Sequence, residues 1–210
     1  MNARERAGCG VYFFVKRLLD IFFSAILLIL LCIPMLMIWC AVAFTSRGGG
    51  IFRQRRVGRG GRTFICYKFR TMYKHAPHSV PTAKLLNAKS YVTPVGTVLR
   101  RTSLDELPQL FNVLKGDMSI IGPRPLILEE REVHSQRKSA GVYALRPGIT
   151  GLSQINGRDE LSDSEKVALD SKYLQEFGIM QDARILAGTL GKVLSGEGIA
   201  DREGKKRQRR

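Results

Sequence analysis

The sequence predicts an α+β protein: an apolar N-terminal helix that enters a membrane and turns back, followed by a small domain of mixed helices and a hairpin. Three observations lead there. Ile21 to Phe44 is a run of 24 residues without a charged side chain, interrupted by Pro34. Of the 210 residues, those outside this run suffice for one compact domain of ordinary size. Charge supplies the third. No acidic residue falls between Asp20 and Asp105, while thirteen Lys and Arg lie from Arg47 to Arg101. That stretch ends at two adjacent carboxylates, Asp105 and Glu106. A net charge of +16 implies anionic partners: a phosphorylated substrate, anionic lipid or nucleic acid. A membrane segment feeding a cationic, carboxylate-bearing domain points to phosphate chemistry at a membrane surface.

Three parts are expected: residues 1–46 as the membrane element, 47–198 as the soluble domain, and 199–210 as a basic, disordered tail. A straight helix of the apolar run would reach about 36 Å, enough for a hydrocarbon core of about 30 Å. Pro34 argues against crossing, because it removes a helical hydrogen bond and clashes with the preceding turn. Both flanks are basic, with Lys16 and Arg17 before the run and Arg47, Arg53, Arg55 and Arg56 after it. Such a bias holds both ends on the cytoplasmic side. Asp20 and Arg17, three apart, read as an interfacial pair. A plain single-pass anchor is the alternative, since proline is tolerated in membrane helices. Ala41-Val42-Ala43 resembles a cleavage site, but the apolar run is too long for a signal peptide. Cys9, Cys32, Cys40 and Cys66 have no paired spacing, so neither zinc nor a disulfide framework follows.

Along the soluble part, Ile51–Val57 and Arg62–Phe69 read as two strands around Gly58-Arg59-Gly60-Gly61, a hairpin. Tyr73 to Tyr91 lacks periodicity and reads as a loop. A helix is expected to begin at Ser103, with Leu107, Leu110, Phe111 and Leu114 following. Ser103 and Glu106 have capping-box spacing, so Glu106 has a purely structural reading as a cap. That leaves Asp105 and the cations Arg100 and Arg101 unexplained. In a first helical turn, both backbone N–H groups and the positive helix end would suit phosphate and an ionised carboxylate. Adjacent carboxylates with room for water suit Mg²⁺. Gly116 to Pro125 reads as a turn that fixes Arg124 between Pro123 and Pro125, as phosphate ligand or structural ion pair. Arg146 to Gly151 reads as a second such turn. Helices are expected over Leu126–Gln136, Ser164–Glu176 and Asp182–Leu194, the last with Ile185, Leu186, Leu190, Val193 and Leu194 on a face for core or membrane.

Five segments together resemble one family: Tyr67-Lys68-Phe69-Arg70-Thr71-Met72, Ser103 to Leu110, Lys115-Gly116-Asp117-Met118-Ser119, Gly122-Pro123-Arg124-Pro125, and Arg146 to Gly151. They look like the bacterial sugar transferases, monotopic polyprenol-phosphate phosphoglycosyl transferases, over residues 12 to 198 and in the right order. The resemblance implies a re-entrant membrane helix and a small α/β domain on the cytoplasmic face of the inner membrane. It implies transfer of a sugar-1-phosphate from a UDP-sugar to undecaprenyl phosphate, with Mg²⁺, among inner-membrane phospholipids. On the matching positions, Asp105 would be the nucleophile and Glu106 its partner, both toward the metal. Lys68, Arg100 and Arg124 would bind phosphate, with Arg146 and Arg158 as further candidates. Asn156 to Glu160 resembles members acting on N-acetylated hexosamines. Ile33 before Pro34 departs from the frequent Ser, and Gly151-Leu152-Ser153-Gln154 from Gly-Trp-Ala-Gln.

Rival readings fail on particular features. A nucleic-acid binder would explain the charge but not the membrane run or the carboxylate pair, so no nucleic acid is expected. A sugar-to-sugar glycosyltransferase would more often show an Asp-x-Asp motif, which this sequence lacks. A membrane-interaction protein without catalysis leaves the dyad idle. A homodimer is compatible with the sequence and not required by it.

Overall fold

The computed structural model describes residues 3–46, 48–77, 87–157 and 161–195. Arg158 and the basic tail lie outside the described residues. Two long N-terminal helices, α1 (Ala3–Leu30) and α2 (Cys32–Thr45), meet at Leu31 with a bend of 66°. The break follows from Pro34. It sits in the first turn of α2, where it has no N–H to offer Leu30 and so cannot carry the α1 ladder onward. The bonds on either side survive: Leu31 N donates to Leu27 O at 2.9 Å and Met35 N to Leu31 O at 2.8 Å. Among the described residues no single helix is long and apolar enough to cross a membrane; the bent pair passes that test together.

The stretch of α1 from Tyr12 to Asp20 is bonded to the helices and strands that follow the apolar run. Lys16 Nζ donates to Asp182 Oδ2 at 2.5 Å, where the Tyr12 hydroxyl also donates at 2.7 Å. Arg17 donates to Val113 O and Leu114 O at 2.6 and 3.0 Å. Asp20 accepts from Ile120 N at 3.0 Å. The i,i+3 pairing expected of Arg17 and Asp20 is thus replaced by contacts of each to backbone of the domain. Hydrogen bonds to the carbonyls at the end of one helix and to a strand N–H outbid a solvent-exposed ion pair, which is worth little. Phe14, Leu18, Phe22, Ile29 and Leu30 face outward.

The hairpin forms as expected. Strands β1 (Ile51–Val57) and β2 (Thr63–Phe69) pair antiparallel, Val57 opposite Thr63, around a one-turn 3-10 helix at Arg59–Gly61. Helix α3 (Pro94–Arg101), absent from the sequence reading, has Pro94 in its first turn and Thr93 as N-cap, whose side chain accepts from Gly96 N at 2.9 Å. Gly96 is required by close approach: a Cβ there would lie 2.1 Å from Thr71 O. Phe69, Leu99 and Val42 close a small core between β2, α3 and α2.

Three sequence expectations are corrected. The helix predicted from Ser103 is α4 (Gln109–Lys115), and it starts six residues later. The two turns at Gly116–Pro125 and Arg146–Gly151 each contain a strand, β3 (Ser119–Ile121) and β4 (Gly148–Thr150), paired parallel. Three-residue strands bounded by Gly and Pro are too short to show periodicity. The helix placed at Leu126–Gln136 is α5 (Arg131–Ser139), because Leu126 and Ile127 extend along the edge of β1: Val57 N donates to Leu126 O at 3.0 Å, and Arg56 bridges Ile127. A short α6 (Leu152–Ile155) precedes α7 (Asp163–Gln175) and α8 (Ile179–Ser195). Ile121, Leu145, Tyr173 and Ile185 form the core beneath them, with Phe13 of α1 packed against it. On α8 the shared apolar face divides: Ile185 is buried, whereas Leu186, Leu190 and Val193 are exposed.

Candidate active site

The acidic pair occupies a single 3-10 turn, Leu104–Glu106, between α3 and α4. Ser103 enters it in the left-handed region at φ 57°, uncommon for a non-glycine residue and found repeatedly at functional sites. Ser103 makes no side-chain capping bond, so the capping box does not form. Tertiary charge overrides the local signal. Glu106 turns instead toward two cations: its Oε1 accepts from Lys68 Nζ at 2.6 Å and from Arg124 Nη1 at 3.2 Å. Asp105 and Glu106 are only 7 % and 6 % exposed. Ionised carboxylates are buried this deeply only when cations or metal compensate them.

Each partner is delivered by a different element. Lys68 projects from β2, on the strand face that also carries Cys66. The Cys66 thiol is pushed up by burial, while Lys68, Arg56 and Arg124 pull it the other way. Asn112 ties α4, which follows the dyad turn, to the edge of β2: its Oδ1 accepts from Tyr67 N at 3.0 Å and its Nδ2 donates to Ile65 O at 2.6 Å. Arg124 comes from the loop after β3. Arg100, at the end of α3, donates from Nε to Thr71 Oγ1 at 2.9 Å, close along the chain from Lys68.

Arg146 sits elsewhere. Its Nε donates to Gly116 O at 3.0 Å, and burial together with Arg17 and Arg59 pushes its pKa below the usual arginine value. It lines a small cleft with Arg17, Asp20 and Tyr173 at the foot of α1. The acid-free basic stretch also does less at the dyad than its length suggests. Arg59 lies over the Phe13 ring, Arg70 over Phe52, and Arg56 donates to Pro125 O at 2.8 Å.

Among the described residues no cluster of three or more His, Cys, Asp or Glu could hold a metal alone. Two adjacent buried carboxylates fit Mg²⁺ all the same, since that ion takes one or two carboxylates and completes its shell with water and substrate phosphate. Sequence reasoning missed Asn112, Arg137 and Asp170. Asn112 had a signal, a lone amide on the apolar face of Leu110, Val113 and Leu114; Arg137 and Asp170 had none beyond their charge.

Two buried adjacent carboxylates, one of them held between Lys68 and Arg124, and a bent apolar helix pair are the features that the comparisons with known proteins bear on. Residues 11–196 match the family Bacterial sugar transferase, and the chain belongs to that family. It is 37 % identical over 199 residues to the exopolysaccharide production protein ExoY of Rhizobium meliloti, covering 87 % of each chain. It is 39 % identical over 201 residues to the undecaprenyl-phosphate galactose phosphotransferase of Salmonella typhimurium, covering 88 % of this chain and 41 % of that one. With the UDP-glucose:undecaprenyl-phosphate glucose-1-phosphate transferase of Caulobacter vibrioides the identity is 37 % over 188 residues, 86 % of this chain and 70 % of the relative.

Proposed function

We propose that this chain transfers a sugar-1-phosphate from a UDP-sugar to undecaprenyl phosphate and so starts assembly of a surface glycan. The observation that carries this reading is the Glu106 carboxylate held between Lys68 and Arg124, one residue from the buried Asp105. In the proposed reaction an Asp105 oxygen attacks the sugar-linked phosphorus, the bond to the UMP oxygen breaks, and UMP leaves. A phosphate oxygen of undecaprenyl phosphate then attacks the same phosphorus and releases Asp105. One site thereby serves two anionic substrates in turn.

Lys68 and Arg124 offset charge on the transferring group and hold Glu106, while Asp105, which matches the family's nucleophile position, makes the attack. Asp105 and Glu106 would hold Mg²⁺, which when bound would supply neutralisation of the charge that develops on the phosphates. Arg100 is proposed as a third phosphate ligand; Arg146, outside this cluster, is a further candidate for substrate contact, as is Arg158. The protein is proposed to lie on the cytoplasmic face of the inner membrane, with the bent α1–α2 pair entering the bilayer and returning.

The donor sugar follows from weaker signs. Asn156 to Glu160 resembles members acting on N-acetylated hexosamines, whereas two of the three relatives named above act on galactose and glucose by their names. Purified protein in detergent, given a panel of UDP-sugars, separates these. Sustained UMP release over many turnovers that requires both undecaprenyl phosphate and Mg²⁺ supports the reading; release beyond one equivalent per enzyme without the lipid, or none with any donor, contradicts it.

A further inference from the structure

Arg124 reaches Glu106 from a loop whose backbone is fixed by buried side chains that the reaction above does not use. Pro125 restricts Arg124 to extended backbone. The Arg124 carbonyl accepts from Arg137 Nη1 at 2.7 Å. Arg137 is 2 % exposed, and its Nη2 donates to Asp170 Oδ2 at 2.5 Å. Asp170, 1 % exposed, also accepts from Ser153 Oγ at 3.1 Å. On either side, Pro123 O accepts from Gly148 N at 2.9 Å and Pro125 O from Arg56 Nη1 at 2.8 Å.

We propose that Arg137, Asp170 and Ser153 form a positioning clamp, running from α6 and α7 through α5, that sets where the Arg124 guanidinium meets Glu106 and the substrate phosphate. The proposal rests on the transferase reading above. A core ion pair linking α5 to α7 is the plainer account, and two features weigh against it. Such a pair is costly to bury and is often replaced by apolar side chains without loss. Here the cost is visible: burial pushes the Asp170 carboxyl up, and Arg137 Nε is buried without a hydrogen-bond partner. The guanidinium fork also does something no apolar side chain can. It holds a main-chain carbonyl and a carboxylate at once, at a fixed angle, and the carbonyl is that of the catalytic arginine.

Arg137→Lys keeps the charge and loses the fork. Since sub-ångström placement governs transfer, it should lower kcat by about tenfold to a hundredfold with donor KM changed far less. The deciding test is a double-mutant cycle on UMP release. In an Arg124→Ala background, Arg137→Lys should cost less than about twofold more, because the residue it positions is gone. An equal fold-loss in both backgrounds would show a staple of α5 to α7 and overturn the clamp. So would an Arg124→Ala variant as active as wild type. Where Arg137→Lys fails to fold, Ser153→Ala carries the same cycle through the far end of the clamp. Wild-type protein releasing no UMP from any donor is a separate result, and it removes the transferase reading itself.

Discussion

Glu106 and Asp105 are neighbours with the same chemistry, and the proposed reaction gives them different roles. Glu106 gives one oxygen to both Lys68 and Arg124. Asp105→Asn should abolish turnover and any covalent adduct, since an amide is neither nucleophile nor anion. Glu106→Gln should also cost turnover heavily, because the amide cannot balance two cations; that is checked by UMP release alongside a thermal melt. A Gln variant at wild-type rates would restore the capping role. Ser103 at φ 57° makes a third prediction. Ser103→Val, β-branched in the left-handed region, should destabilise by about 1–2 kcal/mol and slow turnover, while Ser103→Gly should be tolerated. The dyad was legible in the sequence because a long acid-free stretch isolates it. Its local fold was not. Ser-x-x-Glu spacing describes a helix cap, and only the tertiary approach of Lys68 and Arg124 diverts the carboxylate.

Elements with strong local signals were predicted to within a residue or two: the hairpin, α7 and the break at Pro34. Those set by distant partners were not. Residues 126 and 127 follow the edge of β1 instead of joining α5, and β3 and β4 exist only because they pair with each other across 29 positions of chain. The start of α7 is purely local. Ser162 and Glu165 complete a reciprocal capping box, and hydrogen bonds from Ser162 hold the Glu165 carboxyl below its usual range. Ser162→Ala should therefore cost about 1 kcal/mol by denaturant unfolding. Because the folded pKa of Glu165 is lowered, its contribution is present above its unfolded pKa, about 4, and is lost as pH falls through the folded value. Glu165→Ala should remove that acid-side dependence.

For the molecule as a whole, α1 links the membrane element to the chemistry. Lys16 and Tyr12 are hydrogen-bonded to Asp182, and Asp20 to Ile120, so α1 is docked on the domain before the apolar run begins, and the proposed re-entrant path keeps Gly10 on the domain's side of the membrane. A cysteine placed at Gly10 should resist an impermeant reagent added outside intact cells. Pro34→Leu, by allowing a straight helix, should expose that position only by tearing Lys16 from Asp182, and activity should fall with it. The sequence carried the bend of the apolar run in its proline, but not the docking of α1, which depends on residues more than 160 positions away. The central claim, a covalent Asp105 intermediate, is tested most directly by intact-protein mass spectrometry after mixing enzyme with UDP-sugar alone. The wild-type protein should gain the mass of one phosphosugar, and Asp105→Asn should gain none. An unmodified wild-type protein, with kinetics requiring both substrates bound together, would contradict the account and favour direct transfer.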